Sequence, residues 1–118
     1  MAYNYDPQNI FARILRGEIP NKTVLETVHS IAFHDIMPQA PNHILVIPKG
    51  PYVDLSHFAS EARAEEIVDF HHAVAKICAG FPDGYRAITN SGAHGMQEVP
   101  HYHLHILAGR VLGPLVVR

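Results

Sequence analysis

The chain has 118 residues, 47% of them hydrophobic, and a net charge of −2. That length suits one domain over residues 1–118, large enough to bury a core without a staple, and the near-neutral charge leaves no footprint for a nucleic-acid polymer or an anionic membrane. Cys78 has no internal partner, no apolar run is long enough to span a bilayer, and the N-terminus lacks the basic-then-apolar order of a signal, so the expected compartment is cytoplasmic.

Ile10, Phe11, Ile14 and Leu15 recur at helical spacing between Pro7 and Arg16. Asp6-Pro7 offers a start for this short helix and Gly17 a stop. Residues 23–27 and 31–36 read as strands joined in a hairpin at His29-Ser30, with Ile31, Phe33 and Asp35 on one face of the second. Two prolines hold residues 37–41 extended, and the apolar run over residues 43–48 reads as a central strand. A long amphipathic helix is expected over residues 60–79, with Ser60 as its N-cap and Ile67, Phe70, Val74, Ile77 and Cys78 on the buried stripe. Residues 85–90 form a further strand, residues 91–96 a glycine-bearing loop, and residues 100–108 the last strand. The expected class is α+β: a five-stranded, mostly antiparallel sheet with one short and one long helix on one face. The apolar tail that starts at Gly113 points to a partner subunit.

Ten of the residues are histidines, and three of them alternate in Pro100-His101-Tyr-His103-Leu-His105-Ile-Leu. On a strand, alternate side chains share a face, so the three imidazoles would stack on one side and Tyr102, Leu104 and Ile106 on the other. No core needs three imidazoles in a row. Imidazole serves as nucleophile, proton carrier or metal ligand near neutral pH. A metal site is one reading, but the three residues span about 13 Å at about 3.3 Å per residue. They would not all reach one ion, and another ligand would have to come from His43 or Glu98. A structural reading, with one or two of the histidines simply satisfied in the sheet, is another, and covalent catalysis is the third. One nitrogen of the middle histidine, His103, would attack phosphorus while a hydrogen bond from the other nitrogen to a backbone carbonyl or a neighbouring histidine fixes the tautomer. The developing charge then needs donors, for which Asn90, the loop from Gly92 and Gln97 are neutral candidates.

Several spaced segments resemble the histidine triad family. The triad lies in Gly95-Met-Gln97-Glu98-Val-Pro-His101-Tyr-His103-Leu-His105-Ile-Leu, and Ala108-Gly109-Arg110 after it resembles the Hint-like purine nucleoside phosphoramidase branch. Ile10-Phe11-Ala-Arg-Ile-Leu-Arg-Gly-Glu-Ile19-Pro is similar to the family's N-terminal signature. Ala32-Phe33-His34-Asp35-Ile36, with the run from Pro38 to Lys49 around His43, looks like its nucleoside pocket. The resemblance covers residues 9–110.

The resemblance implies a homodimer in which two sheets join. It implies hydrolysis of purine nucleoside 5′-phosphoramidates at the α-phosphorus, releasing a nucleoside monophosphate such as AMP and an amine, with no cofactor and no metal required. His103 would be the nucleophile, with His101 and His105 orienting and polarising the site and His43 completing the cluster. Asp35 would take the ribose hydroxyls. Ile10, Phe11, Ile19, Phe33 and Ile36 would wall the base, and Asn90, Gly95 and Gln97 would contact the phosphate. Glu98 stands where Hint-like relatives usually carry serine. An ionised carboxylate only accepts hydrogen bonds, so Glu98 either turns away from phosphate or acts as a proton donor. A dinucleoside polyphosphate hydrolase is the alternative inside the family. A nucleotide-binding scaffold with vestigial turnover is the alternative outside catalysis.

Overall fold

The computed structural model describes residues 3–117, so Met1, Ala2 and Arg118 lie outside the described residues. Its elements in chain order are α1 (Ile10–Leu15), β1 (Thr23–Glu26), β2 (Ser30–His34), β3 (Asn42–Pro48), α2 (Leu55–Glu61), α3 (Ala64–Cys78), β4 (Arg86–Ile88) and β5 (Leu104–Ala108). The five strands form one antiparallel sheet in the order β1-β2-β3-β5-β4. The α+β class stands as expected.

Two helix expectations change. The long helix over 60–79 is two helices, because Ala62 and Arg63 are extended, with ψ of 154° and 153°. The break follows from local hydrogen bonding. The Asp54 carboxylate accepts the His57 N–H at 3.0 Å and starts α2 five residues early. Glu66 accepts the Arg63 N–H at 3.1 Å and starts α3 afresh. Ser60, expected as a cap, lies inside α2 and donates to the Ser56 carbonyl at 2.6 Å. α1 likewise starts later than Pro7, capped by Asn9 Oδ1, which accepts the Ala12 N–H at 2.9 Å.

The helices also do not share one face. Ile44 and Val46 of β3 and Ile106 of β5 pack with Phe58 of α2 and Phe70, Ala73 and Ile77 of α3. The intervening Leu45 and Ile47 pack with Ile31 and Phe33 of β2 and with Phe11 of α1. β3 is buried on both sides, which its unbroken apolar run allows. Phe70 anchors the first layer, its ring 5.2 Å from Phe58 and 5.1 Å from Tyr102. Full burial of such a side chain stabilises the fold by about 2–3 kcal/mol. Among the helices of the described residues, α1 is the one on the other face, and it covers that face only in part. The uncovered remainder is where the histidines lie.

The histidine segment is only partly strand. Ladder pairing begins at Leu104, opposite Val46. Ahead of it, the chain bends at His101, and the Tyr102 N–H donates to the Tyr52 carbonyl at 2.7 Å. The alternation holds nonetheless. Tyr102, Leu104 and Ile106 belong to the α3 layer, while His103 packs edge-on against Phe11 of α1 at 5.0 Å. After β5, the tail stays exposed, with Val111, Leu115 and Val117 at 93%, 79% and 99%. Arg86 of β4 tethers it by donating to the Gly113 and Pro114 carbonyls at 2.7 and 3.2 Å. Among the described residues, no helix is long and apolar enough to cross a membrane.

Candidate active site

The face that α1 leaves open is a cavity of about 700 Å³. Of the expected residues, Ile10, Phe11, Ile19, Phe33, Asp35, Ile36, Asn90, Gln97, Glu98, His103 and His105 line it. His43, His101 and Gly95 do not. His43 and His101 are buried behind the wall, at 4% and 0% exposure. Gly95 is required by a close approach rather than by a ligand, since a Cβ there would lie 2.5 Å from the Ser91 carbonyl oxygen.

Each histidine tautomer follows from partners that can act in only one sense. A backbone carbonyl accepts and a backbone N–H donates. His103 Nδ1 lies 2.7 Å from the His101 carbonyl oxygen, so it carries the proton and leaves a lone pair on Nε2. His43 Nδ1 accepts the Gln39 N–H at 3.1 Å, so its Nε2 is protonated and donates to His105 Nδ1 at 2.9 Å. That leaves the proton of His105 on Nε2. His101 Nε2 donates to the Pro48 carbonyl at 2.8 Å. The middle histidine thus presents a base, and its neighbour presents an N–H. The hydrogen bond to a backbone carbonyl is one of the two fixing partners that the sequence left open.

Burial keeps these rings uncharged. It lowers His101 to about 4 and His105 to about 4, with the His103 charge adding to the effect on His105. It lowers His103 as well, against the His101 carbonyl and the charges of Asp35 and Glu98, which pull the other way. His43 is lowered by burial and partly restored by Asp35. The His43 Nε2 contact with Asp35 Oδ2 at 3.3 Å is therefore made by a neutral ring. Asp35 Oδ1 accepts the Met37 N–H at 2.8 Å, which leaves lone pairs free toward the cavity.

Two roles read from the sequence change. His101 is sealed from the cavity and cannot polarise a substrate, so its contribution is the carbonyl that fixes His103. Gln97 spends its amide N–H groups on the Val53 and Val99 carbonyls, at 2.7 and 3.1 Å, and its oxygen accepts the Gly92 N–H at 3.3 Å. It staples the loop and has no donor left for phosphate. Glu98 lines the cavity, and its charge acts on the His103 ring.

The sequence reading missed Ile14, Leu45, Met96 and Val99 in the lining. Leu45 was legible, since it shares a face with His43. Met96 has φ of 58°, a left-handed conformation that glycine usually takes and that methionine gives no sign of in sequence. Asp35, His43 and His105 each offer one ligand atom, all within 4.8 Å of one another. A cation there would have to displace the proton shared by His43 and His105.

Comparison with known proteins gives a consistent result. A family model described as HIT domain matches residues 16–112. The chain is 55% identical over 121 residues to a 13.2 kDa HIT-like protein of Azospirillum brasilense, spanning 100% of this chain and 99% of that one. It is 40% identical over 111 residues to the purine nucleoside phosphoramidase of Escherichia coli K12, spanning 92% of this chain and 93% of the relative. Among solved structures, a HIT family hydrolase from Clostridium thermocellum superposes with a TM-score of 0.83 at 35% identity, over 93% of this chain and 97% of that one.

Proposed function

Since this chain belongs to the HIT-domain family, we propose that it hydrolyses purine nucleoside 5′-phosphoramidates at the α-phosphorus through a nucleotidyl-histidine intermediate on His103. The observation that carries the reading is the charge of the cavity lining. Among the described residues lining it, none is Lys or Arg, two are the carboxylates Asp35 and Glu98, and His103 and His105 are kept neutral by burial. A phosphoramidate brings one negative charge, whereas a dinucleoside polyphosphate brings several. Without cations, the second substrate class is strongly disfavoured. The name of the Escherichia coli relative points the same way.

The proposed chemistry follows from the tautomers. The base lies among Phe11, Phe33 and Ile19, and the ribose hydroxyls donate to the free oxygen lone pairs of Asp35. His103 Nε2 attacks phosphorus and forms a P–N bond. The bond to the amine breaks, and the amine leaves with a proton taken at the open mouth of the cavity. The positive charge on the nucleotidylated ring is met by the His101 carbonyl at Nδ1. His105 Nε2–H and Asn90 are the donors available to the phosphoryl oxygens. Water then attacks phosphorus, the P–Nε2 bond breaks, and the nucleoside monophosphate leaves while a proton passes to solvent. The product is a dianion facing two carboxylates, which favours its release. No metal enters this sequence. The same reading includes a cytoplasmic homodimer, with the exposed apolar tail available to a second subunit.

The test is turnover of an adenosine 5′-phosphoramidate with a fluorescent amine, measured for the wild type, for His103→Ala and for the wild type in EDTA. Turnover that survives EDTA and falls at least about a thousandfold in the variant supports the reading. Faster release of products from diadenosine tetraphosphate than from the amidate would overturn it.

A further inference from the structure

The extended segment ahead of α1 reaches into the site from behind. Tyr5 Oη lies 2.7 Å from His101 Nδ1, and the two rings meet edge-on at 5.6 Å. The opposite nitrogen of His101 holds its proton against the Pro48 carbonyl at 2.8 Å, so Nδ1 is a lone pair and Tyr5 must be the donor. The His101 ring is fully buried, and the same residue supplies the carbonyl that holds His103 Nδ1–H at 2.7 Å. Among the described residues, Tyr5 and Pro48 are the two hydrogen-bond partners of the His101 ring.

The geometry points to the Tyr5 hydroxyl as a positioning residue for the reaction: it fixes the ring of His101, whose carbonyl in turn fixes the His103 tautomer with its lone pair on Nε2. This rests on His103 being the nucleophile. Without the hydroxyl, His101 Nδ1 is a buried acceptor with no donor. Moving the ring proton to Nδ1 does not help, because that N–H would find no acceptor and Nε2 would turn a lone pair toward the Pro48 oxygen. The ring, held by Pro48 alone, shifts to find another donor, and the carbonyl shifts with the residue. His103 is then free to place its proton on Nε2, the form that cannot attack. Burial raises the Tyr5 phenol above its ordinary value, so the donor keeps its proton at working pH. No signal in the sequence distinguishes this tyrosine from a surface residue, because the contact spans 96 positions.

Tyr5→Phe removes the hydroxyl and keeps the ring. The control is Tyr3→Phe in the same segment, where the hydroxyl reaches only Ser56 and the ring stacks on His57 at 4.2 Å. For Tyr5→Phe the expected result is a kcat about tenfold lower with KM within about twofold, the signature of a misplaced reacting group rather than a lost binding contact. The imidazole nitrogen spectrum should show His103 losing its single Nδ1–H form. Tyr3→Phe should keep both wild-type kcat and spectrum. Tyr5→Phe with wild-type kcat and the wild-type His103 tautomer would overturn the assignment, whatever its Tm. If that variant folds poorly, 3-fluorotyrosine at position 5 keeps the ring and strengthens the donor, and an unmoved His101 Nδ1 resonance overturns the assignment equally. Absent turnover in the wild type would sink the proposed reaction alone, because the nitrogen spectra need no substrate.

Discussion

Acid should destabilise this protein through His101, and the size of the effect can be worked from its surroundings. The ring is fully buried, and burial lowers it from 6.5 to about 4. Between those values the unfolded chain binds a proton that the native chain refuses. Stability therefore falls as the pH drops from 6.5 to about 4, and this group adds no further slope outside that window. At about 1.4 kcal/mol for each tenfold change, the loss is about 3 kcal/mol. The assay is urea unfolding at a series of pH values from 8 to 4 on the wild type and on His101→Gln. The variant keeps a group able to donate to Pro48 and accept from Tyr5, but it does not titrate. Its absolute stability is lower, so the comparison is of slopes. The wild type should lose about 3 kcal/mol more than the variant across the window. Equal slopes would show that His101 is not held neutral by burial, and the reading of Tyr5 as donor to a lone pair on His101 Nδ1 would fall with it.

Two further outcomes are expected. Asp69 of α3 holds the β1–β2 hairpin by accepting from Thr27 Oγ1 at 2.6 Å, Ser30 Oγ at 2.9 Å and the His29 N–H at 3.2 Å. Asp69→Ala should cost about 2–3 kcal/mol in urea unfolding, and Asp69→Asn, which keeps one acceptor oxygen, should recover part of that. Glu98→Gln removes a negative charge from the cavity mouth, so AMP should bind about threefold tighter by calorimetry at low salt, with the gain shrinking as salt is added. Weaker AMP binding by that variant would mean that Glu98 donates to the phosphate rather than repelling it.

The face on which each histidine lies was readable from residue order, because alternation along an extended chain depends only on backbone geometry. It survived even where His101 and His103 stand outside the paired part of β5. The stripe on α3 and the two-sided burial of β3 were legible for the same reason: periodicity is local. The break at Ala62-Arg63 was not, because a cap is chosen by competition between nearby carboxylates, and Asp54 and Glu66 outcompeted Ser60. The tertiary structure alone decided which histidines meet the cavity. His101 and His105 differ little in sequence, yet one is sealed behind the wall and one lines it, since the turn at His101 tucks its ring beneath Pro48. Gln97 reads as a donor and is spent on Val53, a residue 44 positions away. Sequence order supplied the imidazoles. Which nitrogen of each carries the proton was set by two local contacts, the His101 carbonyl and the Gln39 N–H, and by two contacts between distant segments, the Pro48 carbonyl and the Tyr5 hydroxyl, that exist only once the chain has folded.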